Sequence, residues 1–119
     1  MSYEDQWPFW LDDVCYEIGR GTRLLALPGS VTCATWGEIQ ATKEHLEQTH
    51  NVRIRGVPVY YENDTGWEVQ VVSNRFVFDL LDLATAAGGA REHALTGVLL
   101  GYSGAAIESF LQSFLRGDV

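Results

Sequence analysis

Five side chains in this sequence have the chemistry of nucleophiles or metal ligands: Cys15, Cys33, His45, His50 and His93. A thiol attacks only when a base lies within hydrogen-bond reach, and a zinc ion needs nitrogen and sulfur ligands that converge. The spacing supplies neither. His45 and His50 are five apart on one predicted helix, which sets them roughly 140° apart around its axis, and neither CxxC nor HxxxH occurs. Cys15 falls on the apolar face of a predicted helix, the place of a small buried hydrophobe. Cys33, in the loop from Gly29 to Ala34, is the more exposed thiol and the one a small Cys/His enzyme would use, with His45 or His93. Gly-rich loops add nothing: Gly19-Arg20-Gly21 precedes a strand where a dinucleotide loop must follow one, and GxxxxGK[ST] is absent. The expectation is a non-enzymatic protein with no cofactor and no metal.

Charge narrows the field further. Eight Lys and Arg stand against sixteen Asp and Glu, a net charge of −8. Nucleic-acid binding by counterion release requires a broad positive face, which eight cations are too few to build. Direct nucleic-acid binding is therefore disfavoured, and the acidity suits a partner with a basic surface. The first ten residues, MSYEDQWPFW, are acidic where a secretory leader is basic, and no apolar run approaches about 18 residues. These features predict a soluble cytoplasmic protein with reduced thiols and no membrane segment.

The elements that must position these groups can be read from periodicity. Trp7, Trp10, Leu11, Val14, Cys15 and Ile18 recur at helix spacing before Gly19, with Asp5 at the dipole end and Asp12, Asp13 and Glu17 opposite. Arg23 to Leu27 reads as a short buried strand ended by Pro28-Gly29. Thr35-Trp36-Gly37-Glu38 has the capping-box form and predicts a helix to about His50, carried by Trp36, Ile39 and Leu46. Residues 52 to 72 predict a β-hairpin: Val52, Ile54, Val57, Val59 and Tyr61, a bulge at Gly56, Pro58 marking an edge, a loop at Asn63-Asp64-Thr65-Gly66, then Trp67, Val69 and Val71. Ser73 or Asn74 caps a further helix through Phe76, Val77, Leu80, Leu81 and Ala84, broken at Ala87-Gly88-Gly89-Ala90.

The last quarter, Ala94 to Arg116, reads as the organiser of the fold. Ala94, Leu95, Val98 and Leu99 share one helix face; Ala106, Ile107, Phe110, Leu111 and Phe114 share another, stopped by Gly117. Between them Gly101 suits a left-handed C′ position and Ser103 an N-cap. Residues 96 to 111 resemble the helix-turn-helix hairpin. In that family the second helix reads DNA with polar and basic residues near its N-terminus. Here those positions hold Gly104, Ala105, Glu108 and Ser109, with no cation before Arg116. The resemblance covers about sixteen residues, leaving a regulator of that type as one alternative function and the small Cys/His enzyme as another.

The whole chain, 1 to 119, thus predicts one compact α+β domain: a small mixed sheet of about three strands, including the 52–72 hairpin, backed by helices and closed by a C-terminal helical pair. Its expected role is an acidic protein-binding domain, of the kind a phage or mobile element uses to inhibit a host nucleic-acid-binding or defence complex. Aromatic rings beside carboxylates are what such a docking surface needs. Phe9 and Tyr16 with Asp12, Asp13 and Glu17 form one candidate, and Glu62, Asp64 and Glu68 around the hairpin a second. Self-association is a further possibility, through apolar C-terminal helices left partly uncovered.

Overall fold

The computed structural model describes residues 7–21 and 23–116, with the side chains of residues 7–9, 110, 114 and 115 outside the described set. The expectations for Asp5, Gly117 and the rings of Trp7, Phe9, Phe110 and Phe114 lie outside it. The element order follows the predicted one: α1 (Trp7–Gly19), β1 (Leu25–Thr32), α2 (Cys33–His50), β2 (Arg53–Tyr61), β3 (Asp64–Val72), α3 (Arg75–Ala87), α4 (Gly89–Leu100) and α5 (Gly104–Arg116). This is the α+β architecture with a C-terminal helical pair. The strands lie in the order β1-β3-β2, and both neighbouring pairs are antiparallel. β1 and β2 therefore run the same way with β3 inserted between them, so the expected mixed sheet has no parallel hydrogen-bonded pair.

Alternation along the strands sends side chains to two helical layers. On one face Ala26, Ile54, Val69 and Val71 pack with Leu11, Cys15 and Ile18 of α1 and Trp36, Ile39 and Leu46 of α2. On the other, Leu25 and Val72 pack with Val77 and Leu81 of α3 and Leu99 of α4. The second layer covers only the Leu25/Val72 end of the sheet; Ser30, Thr32 and Tyr61, further along that face, are exposed.

Several boundaries differ from expectation for local reasons. β1 continues through Pro28-Gly29 to Thr32, because the register shift falls between Ala26 and Gly29 and absorbs the proline. That is the bulge of the sheet; β2 pairs with β3 without a slip from Arg53 to Tyr61. At Gly56 the alternation breaks for another reason: a Cβ there would lie 2.5 Å from Trp36 Cζ2, so the indole fills the space a side chain would take. The hairpin turns at Glu62-Asn63, closed by the Tyr61–Asp64 pair, and Gly66 belongs to β3, where its missing Cβ admits the Tyr61 ring (3.0 Å). α2 starts at Cys33 because Thr32, three residues upstream of the expected cap at Thr35, accepts from Thr35 N at 3.1 Å. Gly19 is required by close approach: a Cβ would lie 2.4 Å from His50 O, while the left-handed turn falls at Gly21.

The C-terminal corner forms as predicted. Gly101 is left-handed (φ 83°), its N–H and that of Tyr102 bond back to Val98 and Gly97, and Ser103 Oγ accepts from Ala106 N at 3.1 Å. Its organising role does not. α5 packs chiefly on α4, and α4 buries Gly97 and Leu99 while Leu95 and Val98 stay 47% and 60% exposed. Gly97 faces α5, where a Cβ would meet Ile107 Cγ1 at 3.1 Å, and Leu99 enters the Leu25/Val72 cluster; Leu95 and Val98 lie off both contacts.

The fit of Trp36 over Gly56 sets a test. Gly56→Ala forces a methyl into a rigid ring system and is expected to cost about 2 kcal/mol in urea denaturation. Gly104→Ala, which meets nothing within 4 Å, leaves stability unchanged or raises it by up to about 1 kcal/mol.

Candidate partner-binding surfaces

The residues with reactive chemistry come first. Cys15 is fully buried, and burial together with the nearby Asp12 and Glu47 carboxylates pushes its thiol up to about 12. It is held protonated, the opposite of what a nucleophile needs. Cys33 is exposed in the first turn of α2 and donates to the Thr65 carbonyl (3.2 Å). His45 lies twelve residues further along the same helix, about 18 Å of axis, and His93 belongs to α4, under the other face of the sheet. The Cys33–His pair a small enzyme would use is not assembled.

The acidic face of α1 is partly neutralised where it sits. α1 and α2 meet at their C-termini, and Asp12 Oδ1 accepts from His50 Nε2–H at 2.6 Å. Glu17 pairs with Arg23 at 3.7 Å, and the Arg20 guanidinium lies 5.4 Å from the Tyr16 ring centroid. Asp13 and Tyr16 are exposed; the Phe9 ring lies outside the described residues. Asp12, Asp13 and Glu17 thus share their surface with His50, Arg20 and Arg23.

At the other end of α2 the balance is different. Cys33 touches Thr65 at that end and His50 touches Asp12 at this one, so the hairpin and the α1 face are separated by a helix of 18 residues, about 27 Å. The two predicted acidic patches are two surfaces. The segments that meet at the hairpin end, residues 28–38 and 57–68, hold Glu38, Glu62, Asp64 and Glu68 and no Lys or Arg. Tyr60 and Tyr61 stand there 78% and 54% exposed. Glu68 is half-buried and turned inward along the sheet: Gln70 Nε2 donates to it (3.4 Å), and Gln70 Oε1 accepts from Arg55 Nε (2.9 Å). Arg55 then reaches α3, giving Asp82 two hydrogen bonds (2.8 and 3.1 Å) and lying 4.5 Å from the Phe78 centroid. The hydrogen bond from Arg55 holds the Asp82 carboxyl below its ordinary range. Glu68 therefore serves the seam between sheet and α3, and Glu62 and Asp64 remain at the tip.

One constellation has no signature in the sequence. Lys43 of α2, Arg53 and Arg55 of β2 and Arg75 of α3 line a groove of about 610 Å³ along the β2 edge, continuous with Trp36, Trp67 and Phe78. Half of the chain's eight cations gather there. They come from three elements spread over thirty-three positions, and pairing of β2 with β3 is what assembles them.

The helix-turn-helix-like corner forms an open apolar pocket of about 340 Å³ whose lining includes Leu100, Tyr102 and Ile107. The exposed positions on the first turns of α5 are Gly104, Ala105, Ala106, Glu108 and Ser109. Among the described residues no helix is long and apolar enough to cross a membrane. Comparison with protein-family models, curated proteins and solved structures finds no match to this chain.

The two thiols separate in solution. A disulfide reagent at neutral pH is expected to titrate Cys33 in the folded protein and Cys15 only after unfolding. The raised Cys15 value also fixes a pH dependence. Above its ordinary value of 9.0 the unfolded chain releases the proton, while the folded chain keeps it to about 12. The unfolded state then binds fewer protons, so stability falls as pH rises above 9, by up to about 1.4 kcal/mol per pH unit. Denaturation of Cys15→Ala across the same range should show a flatter slope.

Proposed function

We propose that this chain is a non-enzymatic, acidic protein-binding domain whose hairpin end occupies a basic surface on a partner. The observation that carries the reading is the composition of that end: Tyr60 and Tyr61 exposed beside Glu62 and Asp64, in segments without a single Lys or Arg. Exposed tyrosines supply contact area at little conformational cost, and the carboxylates around them steer and orient a cationic partner. A regular antiparallel ladder holds the tip, so the surface is ordered before contact. The α1 face is a lesser contributor in this reading, because Glu17 is already paired with Arg23 and Asp12 already accepts a hydrogen bond from His50.

A protein of this kind works by exclusion, covering a surface that another molecule uses. A phage or mobile-element inhibitor of a host nucleic-acid-binding or defence complex fits that description, since the natural ligand of such a complex is itself an anion. Support for that source is by analogy of charge. The readout chemistry that a helix-turn-helix regulator requires is missing from the exposed start of α5, which favours the protein-binding reading over the regulator.

The test is capture from a bacterial lysate treated with nuclease, comparing the tagged wild-type chain with Glu62→Lys/Asp64→Lys and with Asp12→Lys/Asp13→Lys/Glu17→Lys. The expected result is one stoichiometric basic partner, retained after nuclease, lost in the hairpin variant and weakened less in the α1 variant. Recovery of nuclease-sensitive material alone, or equal capture by the hairpin variant, refutes the proposal.

A further inference from the structure

The β2 edge groove has a composition that the protein-binding reading does not use. We propose that it is a binding site for a small anionic ligand with a planar, apolar body.

The argument starts from the cations. In a chain of net charge −8, four of eight Lys and Arg line one groove. Arg55 is committed: Asp82, Gln70 and the Phe78 ring occupy its guanidinium. Arg53 donates Nη1 to the Val52 carbonyl (2.8 Å) and keeps its remaining N–H groups. The Lys43 and Arg75 side chains make no hydrogen bond or ion pair among the described residues, and with Arg53 they also line the adjoining cavity of about 430 Å³. The carboxylates present are Glu44, Glu47 and Asp79. Glu47 is occupied, since its Oε2 accepts from Ile54 N at 2.8 Å. Three cations with donors to spare thus converge from a helix, a strand and a second helix. Like charges held together repel one another, and an anion between them removes that cost.

The apolar half comes from the floor. Trp36 and Trp67 stack there with centroids 5.6 Å apart and planes 18° apart, and Ile54 joins them. The absence of a Cβ at Gly56 lets Trp36 lie against the strand. The strand edge adds one donor. Outward-facing residues alternate along an antiparallel strand. Because Ile54 N–H points outward to Glu47, the Gly56 N–H also points outward, into the groove. Beyond it, Pro58 has no N–H to give.

Those two ends decide between a small molecule and an extended peptide. Glu47 closes the edge at Ile54 and Pro58 closes it further on, leaving Gly56 alone, too short a register for an added strand. The volume of about 610 Å³ is that of a small-molecule site. A carboxylate or phosphate would be met by Lys43, Arg53 and Arg75, and its ring by the tryptophan side. The site lies along β2 away from the hairpin tip, and the inference does not rest on the proposed partner.

Isothermal titration of the full chain with 2-naphthoate and with AMP, each against its neutral counterpart (2-naphthylmethanol and adenosine) and against inorganic phosphate, tests the assignment. Saturable one-to-one binding of at least one anion below about 1 mM is expected. The neutral counterpart and inorganic phosphate should bind at least about tenfold more weakly, and Lys43→Gln/Arg75→Gln should lose about tenfold or more. Preference for 2-naphthoate assigns a carboxylate ligand, and preference for AMP a phosphate one. The double variant changes one half-buried and one exposed side chain, and circular dichroism confirms that it folds. If neither anion saturates, if the neutral compounds or phosphate alone bind as well, or if the folded double variant binds like wild type, the proposal is overturned.

Discussion

β3 buries side chains on both faces, and every other element is placed by that requirement. Val69 and Val71 need cover from one side and Val72 from the other, while Gln70 is buried as well, its carbonyl taken by Arg55. A strand with two buried faces must be central, so β1 and β2 flank it. Two helical layers then follow: α1 and α2 over the valines of one face, α3 and α4 over Val72 and Leu25. The layers are unequal. Among the described residues the core between the first layer and the sheet holds eleven buried side chains, whereas that between the second and the sheet holds five, helped by the Arg55–Asp82 bridge. α5 adds to the second layer by packing on α4.

Much of this was legible in the residues. Helix periodicity marked all five helices, and the hairpin followed from its alternation and turn residues. The corner at Gly101-Tyr102-Ser103 was readable because its caps are local devices whose chemistry is confined to a few residues. Errors arose where a tertiary contact supplied the reason for a residue. Gly56 mimics a bulge in one-dimensional alternation because the side chain filling its place, Trp36, is twenty residues upstream. Gly19 looks like a helix stop and is a contact point for the end of α2. Leu95 and Val98 look like a core face, yet burial on α4 is decided by where α5 and the sheet stand. The candidate surfaces divide the same way. Individual carboxylates could be named from the sequence, but the pairing of Glu17 with Arg23 and of Asp12 with His50 could not, and the β2 groove is invisible until three elements meet.

Charge is consequently sorted in space more strongly than along the chain. The hairpin end carries carboxylates and tyrosines without a cation, and the middle of the β2 edge gathers Lys43, Arg53, Arg55 and Arg75. A −8 protein thus presents a polarised surface, and a field of opposite sign at two places discriminates among partners better than uniform acidity does.

The insertion of β3 between β1 and β2 also has a consequence in time. β3 is the last strand to leave the ribosome and the one that joins the other two, so no strand of this sheet has a hydrogen-bonded neighbour until the hairpin turn has been made. β1 must then wait for residues some forty positions later, a long loop closure that follows the local β2–β3 pairing. During that interval β1 is a lone apolar segment. Its Pro28-Gly29 kink interrupts the regular edge that pairing with another nascent chain would need, so the irregularity of the finished sheet also lies where an unpaired strand is most exposed.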